Sequence, residues 1–173
     1  MIDLKQYIRD IPDFPKKGII FHDITPLLQN AKAYEAAIDR MAGMLGGGGV
    51  DYLVGIESRG FIFASALAMK LHTGLVIVRK PGKLPYVTIN ASYDLEYGSD
   101  SLEVHRDAIH HGSRVVLIDD LLATGGTAKA AGDLIEKLGG EIAGYCFLVE
   151  LTELEGQKKL SPHPVWSVVK YEA

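Results

Sequence analysis

The sequence is poor in several features that mark particular classes of protein, and cysteine is one of them. Cys146 is the single cysteine among 173 residues, which excludes an intrachain disulfide. Its apolar neighbours Tyr145 and Phe147 favour a buried position in a strand over a catalytic thiol. No apolar run reaches membrane-spanning length, and charged residues occupy the N-terminal stretch where a signal peptide needs an apolar core. These absences predict a cytoplasmic protein.

An excess of positive charge is also missing. The net charge is −4 and the isoelectric point is about 5.8. This argues against nucleic acid as a partner, because binding to a phosphate backbone needs a basic surface. The spacings Gly-x-x-x-x-Gly-Lys and Gly-x-Gly-x-x-Gly are absent, which disfavours nucleoside triphosphatases and dinucleotide-dependent oxidoreductases.

The hydrophobic content of 47% is enough for one domain spanning residues 1–173. Apolar runs alternate with helical patterns, which predicts an α/β fold of three layers with a mainly parallel central sheet flanked by helices. The predicted strands cover residues 52–56, 75–78, 102–109, 115–118, 143–151 and 165–171, and the predicted helices cover residues 31–45, 61–71 and 128–138. At the start of the chain, a short helix is predicted with Leu4, Tyr7, Ile8 and Ile11 on one face.

The most informative stretch runs from residue 114 to residue 128. An apolar strand ends in Asp119 and Asp120, and a loop of small residues then leads into a helix; we call residues 123–127 the phosphate loop. Its members are Ala123, Thr124, Gly125, Gly126 and Thr127. Glycines expose backbone N–H groups to a phosphate, and the following helix points its positive end there. The carboxylates suit sugar hydroxyls, so the pattern predicts a site for ribose 5-phosphate. A purely structural helix cap and turn is the alternative.

Two further strand ends carry groups suited to anions. Ser58 and Arg59 precede Gly60 at a predicted helix start, and Arg79, Lys80 and Lys83 follow the strand at 75–78. Ligands collect at the carboxyl ends of strands in open α/β sheets, so these groups could hold a diphosphate. Solvated surface cations are the alternative for both segments.

Residues 81–102 contain proline, glycine, serine and asparagine with interspersed tyrosines, which predicts a long loop that acts as a lid. The adjacent His110 and His111 could suggest a metal site. No acid or cysteine stands at ligand spacing around them, so a solvated turn is favoured.

The run Asp119 to Thr127 resembles the phosphoribosyl diphosphate motif of the type I phosphoribosyltransferases, and it is most similar to the adenine-specific form. The resemblance extends from residue 14 to residue 171 and implies the fold of that family, with a small base-binding hood over about residues 1–30 and a flexible lid over about 81–102. It places Ser58, Arg59 and the basic segment, which consists of Arg79, Lys80 and Lys83, around the diphosphate. It also implies a cis peptide in the loop from Glu57 to Gly60.

The same resemblance assigns the remaining roles. Base binding falls to Ile20, Phe21 and His22, with Phe21 stacking on adenine, and to the region of Leu121. Many relatives have arginine where this chain has His22, and Phe21 could instead be a buried core residue. Glu96 is implied as an acid/base group at the purine and Tyr97 as part of the lid.

The implied reaction is magnesium-dependent transfer of 5-phosphoribosyl from 5-phosphoribosyl 1-diphosphate (PRPP) to adenine, giving AMP and diphosphate. Asp119 and Asp120 would orient the ribose, and Mg²⁺ would be held through substrate and water without direct protein ligands. A homodimer is implied, with no nucleic acid or membrane partner. A phosphoribosyltransferase for another purine base and a non-enzymatic nucleotide sensor remain alternatives.

Overall fold

The structure is a computed structural model that describes residues 2–46, 49–95 and 98–172. The chain divides into two compact units, Met1–Arg40 and Met41–Ala173. None of the helices in these described ranges is long and apolar enough to cross a membrane.

The first unit contains a 3₁₀ helix, a two-stranded sheet and the beginning of a long helix. The 3₁₀ helix covers Leu4–Tyr7, and strands β1 (Arg9–Pro12) and β2 (Ile20–Asp23) pair antiparallel, with Ile11 opposite Phe21. Helix α1 is Thr25–Gln29 and α2 is Ala31–Leu45, as predicted for α2. The prediction that Ile11 shares a helix with Leu4 is wrong, because pairing with β2 holds the chain extended there.

A parallel sheet of five strands organises the second unit. Its strands are β3 (Tyr52–Ile56), β4 (Gly74–Val78), β7 (Arg114–Leu122), β8 (Glu141–Leu151) and β9 (Val165–Tyr171), in the order β4-β3-β7-β8-β9. All four pairings are parallel. The helices of this unit are α3 (Gly60–Leu71), α4 (Gly126–Lys137) and α5 (Gly156–Leu160). The predicted α/β architecture with a mainly parallel sheet is therefore confirmed.

A β-hairpin occupies much of the segment that was predicted to be a loop. Strands β5 (Thr88–Leu95) and β6 (Gly98–His105) pair antiparallel, and the hairpin packs on α4. Leu102 and Val104 are fully buried on one face of β6. This alternation is a period-two strand signal, but the Pro- and Gly-containing start of the segment favoured a loop. The loop prediction is correct only up to residue 87, and the strand predicted at residues 102–109 lies at residues 98–105.

The core of the second unit explains why the parallel strands appear in the sequence as continuous apolar runs. Val54, Leu117 and Phe147 on the three central strands are at most 1% exposed, because a parallel sheet is covered on both faces by other elements. Cys146 is buried in β8 as predicted, and burial raises the pKa of its thiol to about 12. It is therefore an unreactive core residue.

Candidate active site

The carboxyl ends of β3, β4 and β7 meet around a cavity of about 310 Å³ in the second unit. Most of the predicted sugar, phosphate and diphosphate ligands line it. The lining residues are Glu57, Ser58, Arg59, Lys80, Tyr93, Asp100, Asp119, Asp120, Leu121, Leu122, Ala123, Thr124, Gly125, Thr127 and Ala128. The parallel sheet thus brings together segments that lie about 60 residues apart in the sequence.

Asp119 and Asp120 form the acidic wall of this cavity. The Asp119 carboxylate accepts a hydrogen bond from the backbone N–H of Asp120 at 2.9 Å, and the Asp120 carboxylate pairs with the guanidinium of Arg59 at 3.0 Å. Burial raises the pKa of Asp119 and the negative charge of Asp120 raises it further. Burial also raises the pKa of Asp120, although Arg59 opposes this. The two adjacent carboxylates are therefore costly to ionise together and would gain from a positively charged or hydroxyl-rich ligand.

A close approach of α3 makes this arrangement possible. A Cβ atom on Gly60 would lie 2.7 Å from the carbonyl oxygen of Ile118 and 2.9 Å from the carboxylate of Asp119. Only glycine lets the first turn of the helix come this near to the acidic pair. Gly60 therefore brings Arg59 within reach of Asp120.

The phosphate loop lines the cavity and leads directly into the start of α4. Gly125 has a φ of 78°, which favours glycine, and it caps α4 without any side-chain hydrogen bond to the helix start. The first N–H groups of a helix have no partner within the helix, so an anion there completes them. Thr124 and Thr127 add hydroxyls to the same wall. This geometry matches a monophosphate.

The Glu57 side chain, which is 11% exposed, contacts all three residues of the basic segment. It accepts two hydrogen bonds from the guanidinium of Arg79, both at 3.2 Å, and one from the backbone N–H of Lys80 at 2.8 Å. The ammonium of Lys83 lies 3.8 Å away. Burial alone would raise the pKa of Glu57, but these hydrogen bonds and charges hold it below its usual range.

The predicted diphosphate ligands are thus placed differently from one another. Lys80 lines the cavity. Arg79 and Lys83 pair with Glu57 and do not line the cavity. Gly126 also lies outside the lining. The peptide between Glu57 and Ser58 is cis, as the family resemblance implied.

Five lining residues were absent from the predicted site: the apolar Leu122 and Ala128, and the polar Glu57, Tyr93 and Asp100. Lys80 pairs with Asp100, Tyr93 donates to the Asp100 carboxylate at 3.4 Å, and Thr127 donates to the Tyr93 hydroxyl at 3.5 Å. The hydrogen bond from Lys80 lowers the pKa of Asp100, and the same bond raises the pKa of Lys80. Tyr93 and Asp100 lie opposite each other in the hairpin. Predicting the hairpin from the sequence would therefore have placed these two residues side by side.

The residues predicted to bind the base fall in both units. Ile20, Phe21 and His22 form part of β2 in the first unit, where the rings of Phe14 and Phe21 lie 5.2 Å apart edge to face. The His22 ring pairs with Asp10 at 2.6 Å. Leu121 lines the cavity in the second unit. Glu96 and Tyr97 lie outside the described residues.

Comparison with known proteins gives a consistent result over nearly the whole chain. The sequence profile of the phosphoribosyl transferase domain matches residues 21–172. The chain is 56% identical over 170 residues to the adenine phosphoribosyltransferase of Pseudothermotoga lettingae, covering 98% of this chain and all of that protein. The corresponding protein of Halothermothrix orenii is 53% identical over 169 residues, covering 98% and 99% of the two chains.

Solved structures agree with these sequence matches. The adenine phosphoribosyltransferase of Thermoanaerobacter pseudethanolicus superposes with a TM-score of 0.95 at 52% identity, covering 97% of this chain and 98% of that one. The Saccharomyces cerevisiae enzyme, solved with an imino-altritol bisphosphate and adenine, gives a TM-score of 0.90 at 42% identity, covering 95% and 96% of the two chains.

Proposed function

Because this chain belongs to the phosphoribosyl transferase family, we propose that it transfers the 5-phosphoribosyl group of PRPP to adenine, giving AMP and diphosphate. The enzyme is then a pentosyltransferase of purine salvage. The observation that carries the sugar-phosphate half of this proposal is the cavity in which the Asp119-Asp120 pair adjoins the phosphate loop. The adenine half is supported by the relatives described above, which share more than half of the sequence.

The phosphate loop binds the 5-phosphate of the ribose. Backbone N–H groups at the start of α4 and the hydroxyls of Thr124 and Thr127 donate hydrogen bonds to its oxygens, with Ala123, Gly125 and Gly126 allowing close approach. The phosphate fixes one end of the sugar. The anomeric carbon is thereby presented toward the neighbouring carboxylates.

Asp119 and Asp120 accept hydrogen bonds from the ribose hydroxyls and stabilise positive charge on the ring. Loss of diphosphate from the anomeric carbon passes through an oxocarbenium-like state, as in glycoside cleavage. The raised pKa values of the pair arise from burial, so a ring cation beside them relieves an existing electrostatic cost. Arg59 holds the Asp120 side chain in place for this role.

Ser58, Arg59 and Lys80 bind the diphosphate, and Arg79 and Lys83 complete the positive surroundings. Lys80 lines the cavity, and its Asp100 partner can release it to an incoming anion because Lys80 is 46% exposed. The Glu57 carboxylate fixes the backbone N–H of Lys80 and the Arg79 guanidinium. The departing diphosphate therefore leaves into a site with several donors.

Magnesium is the cofactor of this proposal, and the donor set fits it. Mg²⁺ in phosphate sites is held by one or two carboxylates, waters and substrate oxygens. Asp119 and Asp120 place carboxylate oxygens at the cavity wall, where they would accept hydrogen bonds from water molecules bound to the ion. When bound, the ion neutralises charge on the diphosphate. We therefore assign it to the substrate complex, without direct protein ligands.

Ile20, Phe21 and His22 are assigned to binding of the adenine ring, and Leu121 at the cavity wall is also assigned to base binding. Phe21 stacks on the ring, while backbone groups of β2 read its edge. Glu96 acts as an acid/base group at the purine. Tyr97 belongs to the lid that excludes water from the reactive sugar. Replacement of Phe21 by alanine should raise KM for adenine and leave KM for PRPP nearly unchanged.

We further propose that the protein is a cytoplasmic homodimer with its interface near the basic segment. Strand β4, which leads into Arg79, is an edge strand of the sheet, and Leu75 and Ile77 on it are 42% and 37% exposed. Exposed apolar side chains at a sheet edge favour pairing with a partner. Light scattering should give twice the chain mass, and Ile77→Lys should give the monomer mass.

The deciding experiment is release of diphosphate from PRPP and magnesium with adenine, hypoxanthine, guanine or xanthine as acceptor. Turnover with adenine alone, and formation of AMP, is the expected result. Turnover with an oxopurine instead would retain the sugar-phosphate site and overturn the adenine assignment. Tight binding of PRPP without turnover on any base would point to a sensor.

A further inference from the structure

Helix α5 contacts the phosphate loop from outside the cavity. Two glycines meet there backbone to backbone. A Cβ atom on Gly156 would lie 2.2 Å from the carbonyl oxygen of Ala123 and 3.1 Å from the backbone nitrogen of Gly125. A Cβ atom on Gly125 would lie 2.6 Å from the carbonyl oxygen of Gly156. Neither glycine can therefore carry a side chain unless the opposing backbone shifts.

Buried groups fix α5 itself. Leu160 is 1% exposed and belongs to the core of the second unit. The Gln157 amide donates to the carboxylate of Glu150, which is 3% exposed near the end of β8. The ammonium of Lys170 on β9 lies 3.5 Å from the other oxygen of Glu150. The end of the sheet thus holds α5, and α5 in turn supports the phosphate loop.

We infer that Gly156 is a positioning residue whose contact with Ala123 and Gly125 sets the location of the phosphate loop and so the affinity for the 5-phosphate of the substrate. The inference rests on the proposed function. Ala123 and Gly125 line the cavity and Gly156 does not, so Gly156 acts on the substrate only through the loop.

The predicted effect is specific for the phosphate end of the substrate. Any side chain at position 156 pushes on the Ala123 carbonyl and the Gly125 nitrogen, both of which are backbone atoms that cannot rotate away. The loop must then shift toward the cavity or rotate, and its N–H donors leave the optimal hydrogen-bonding distance of about 2.9 Å. The proposed adenine contacts lie in other segments, so binding of the base should change little.

The test compares Gly156→Ala with Gly43→Ala. Gly43 lies within α2, and an added Cβ there would meet no atom within 4 Å, so it controls for the substitution itself. Gly156→Ala should raise KM for PRPP about tenfold or more, because small misplacements of binding groups are costly. KM for adenine should change less than about twofold, and Gly43→Ala should match the wild type in both. An unchanged KM for PRPP, or equal rises in both KM values, would overturn the inference.

A second variant covers the case in which Gly156→Ala fails to fold. Gln157→Ala removes the hydrogen bond to Glu150 without adding volume, so it loosens α5 from the sheet while leaving the loop uncrowded. It should raise KM for PRPP about two- to twelvefold, the range expected for one hydrogen bond, again without a matching change for adenine. The same KM values as the wild type would contradict the support role of α5.

Calorimetric titration with ribose 5-phosphate separates this inference from the proposed function. If the wild type binds ribose 5-phosphate but turns over no base, the function fails while the inference can still hold. Binding weakened about tenfold in Gly156→Ala would then support it. If both proteins bind ribose 5-phosphate equally, the inference fails whatever the catalytic result. If the wild type binds neither ribose 5-phosphate nor PRPP, both proposals fail.

Discussion

The charge of Glu57 should stabilise the fold and organise the basic segment, and Glu57→Gln isolates that charge. The Glu57 carboxylate accepts two bonds from Arg79 and one from the backbone of Lys80. A glutamine keeps one carbonyl acceptor, so one charged hydrogen bond to Arg79 is lost. Such a bond contributes about 1.5–3 kcal/mol. Glu57 is 11% exposed but Arg79 is 28% exposed, so water offsets part of the loss. We expect the free energy of unfolding to fall by about 1–2 kcal/mol.

Urea unfolding at pH 7 and pH 3 measures this contribution. The pKa of Glu57 is lowered in the folded protein, so its stabilisation is present above the unfolded value of about 4.3 and is lost as pH falls through the folded value. The difference between wild type and Glu57→Gln should therefore shrink at pH 3. Glu35→Gln, at an exposed position on α2, is the matched control. A loss below about 0.5 kcal/mol at pH 7, within the range of ordinary surface substitutions, or an equal loss at both pH values, would refute the reasoning.

Three further substitutions test other parts of the site. Gly60→Ala places a Cβ 2.7 Å from the Ile118 carbonyl, so it should cost about 1–3 kcal/mol in urea unfolding and greatly reduce turnover; normal activity would contradict the close approach of α3. Asp119→Asn should raise stability at neutral pH while lowering kcat about 100-fold. The pKa of Asp119 is raised in the folded protein, so the fold is more stable when this carboxyl is protonated, and that stability is lost as pH rises through the pKa of the folded state. An Asp119→Asn variant less stable than the wild type at pH 7 would argue against this. Asp100→Asn releases Lys80 from its ion pair and should lower KM for PRPP by up to about fivefold, the upper limit for an exposed pair; a higher KM would instead indicate that Asp100 assists binding.

The backbone of the site was largely predictable from the sequence. The apolar strand, the two acids and the phosphate loop are contiguous in the chain, and strand periodicity followed by a glycine turn depends on local conformational preferences. The same holds for β3, whose predicted bounds match the structure, and for the end of β4 before the basic segment. Parallel pairing then required these three strand ends to meet at one edge.

The partners of the side chains were decided by the tertiary structure. Arg79 and Lys80 look equivalent in the sequence, but only Lys80 lines the cavity. The Arg79 side chain pairs instead with the nearly buried carboxylate of Glu57, which lies 22 residues upstream. A buried acid selects its cation by geometry, which the sequence does not encode locally. Tyr93 and Asp100 likewise reach the cavity through the pairing of the hairpin.

The sequence by itself therefore determined the order of the five parallel strands, the helices α2, α3 and α4 and the chemistry at the end of β7, since these depend on short-range periodicity and on small residues at turns. The support of the phosphate loop by Gly156, the capture of Arg79 by Glu57 and the approach of Asp100 to Lys80 arose only on folding. Each joins residues about 20 to 30 positions apart, and their proximity is set by packing around the sheet.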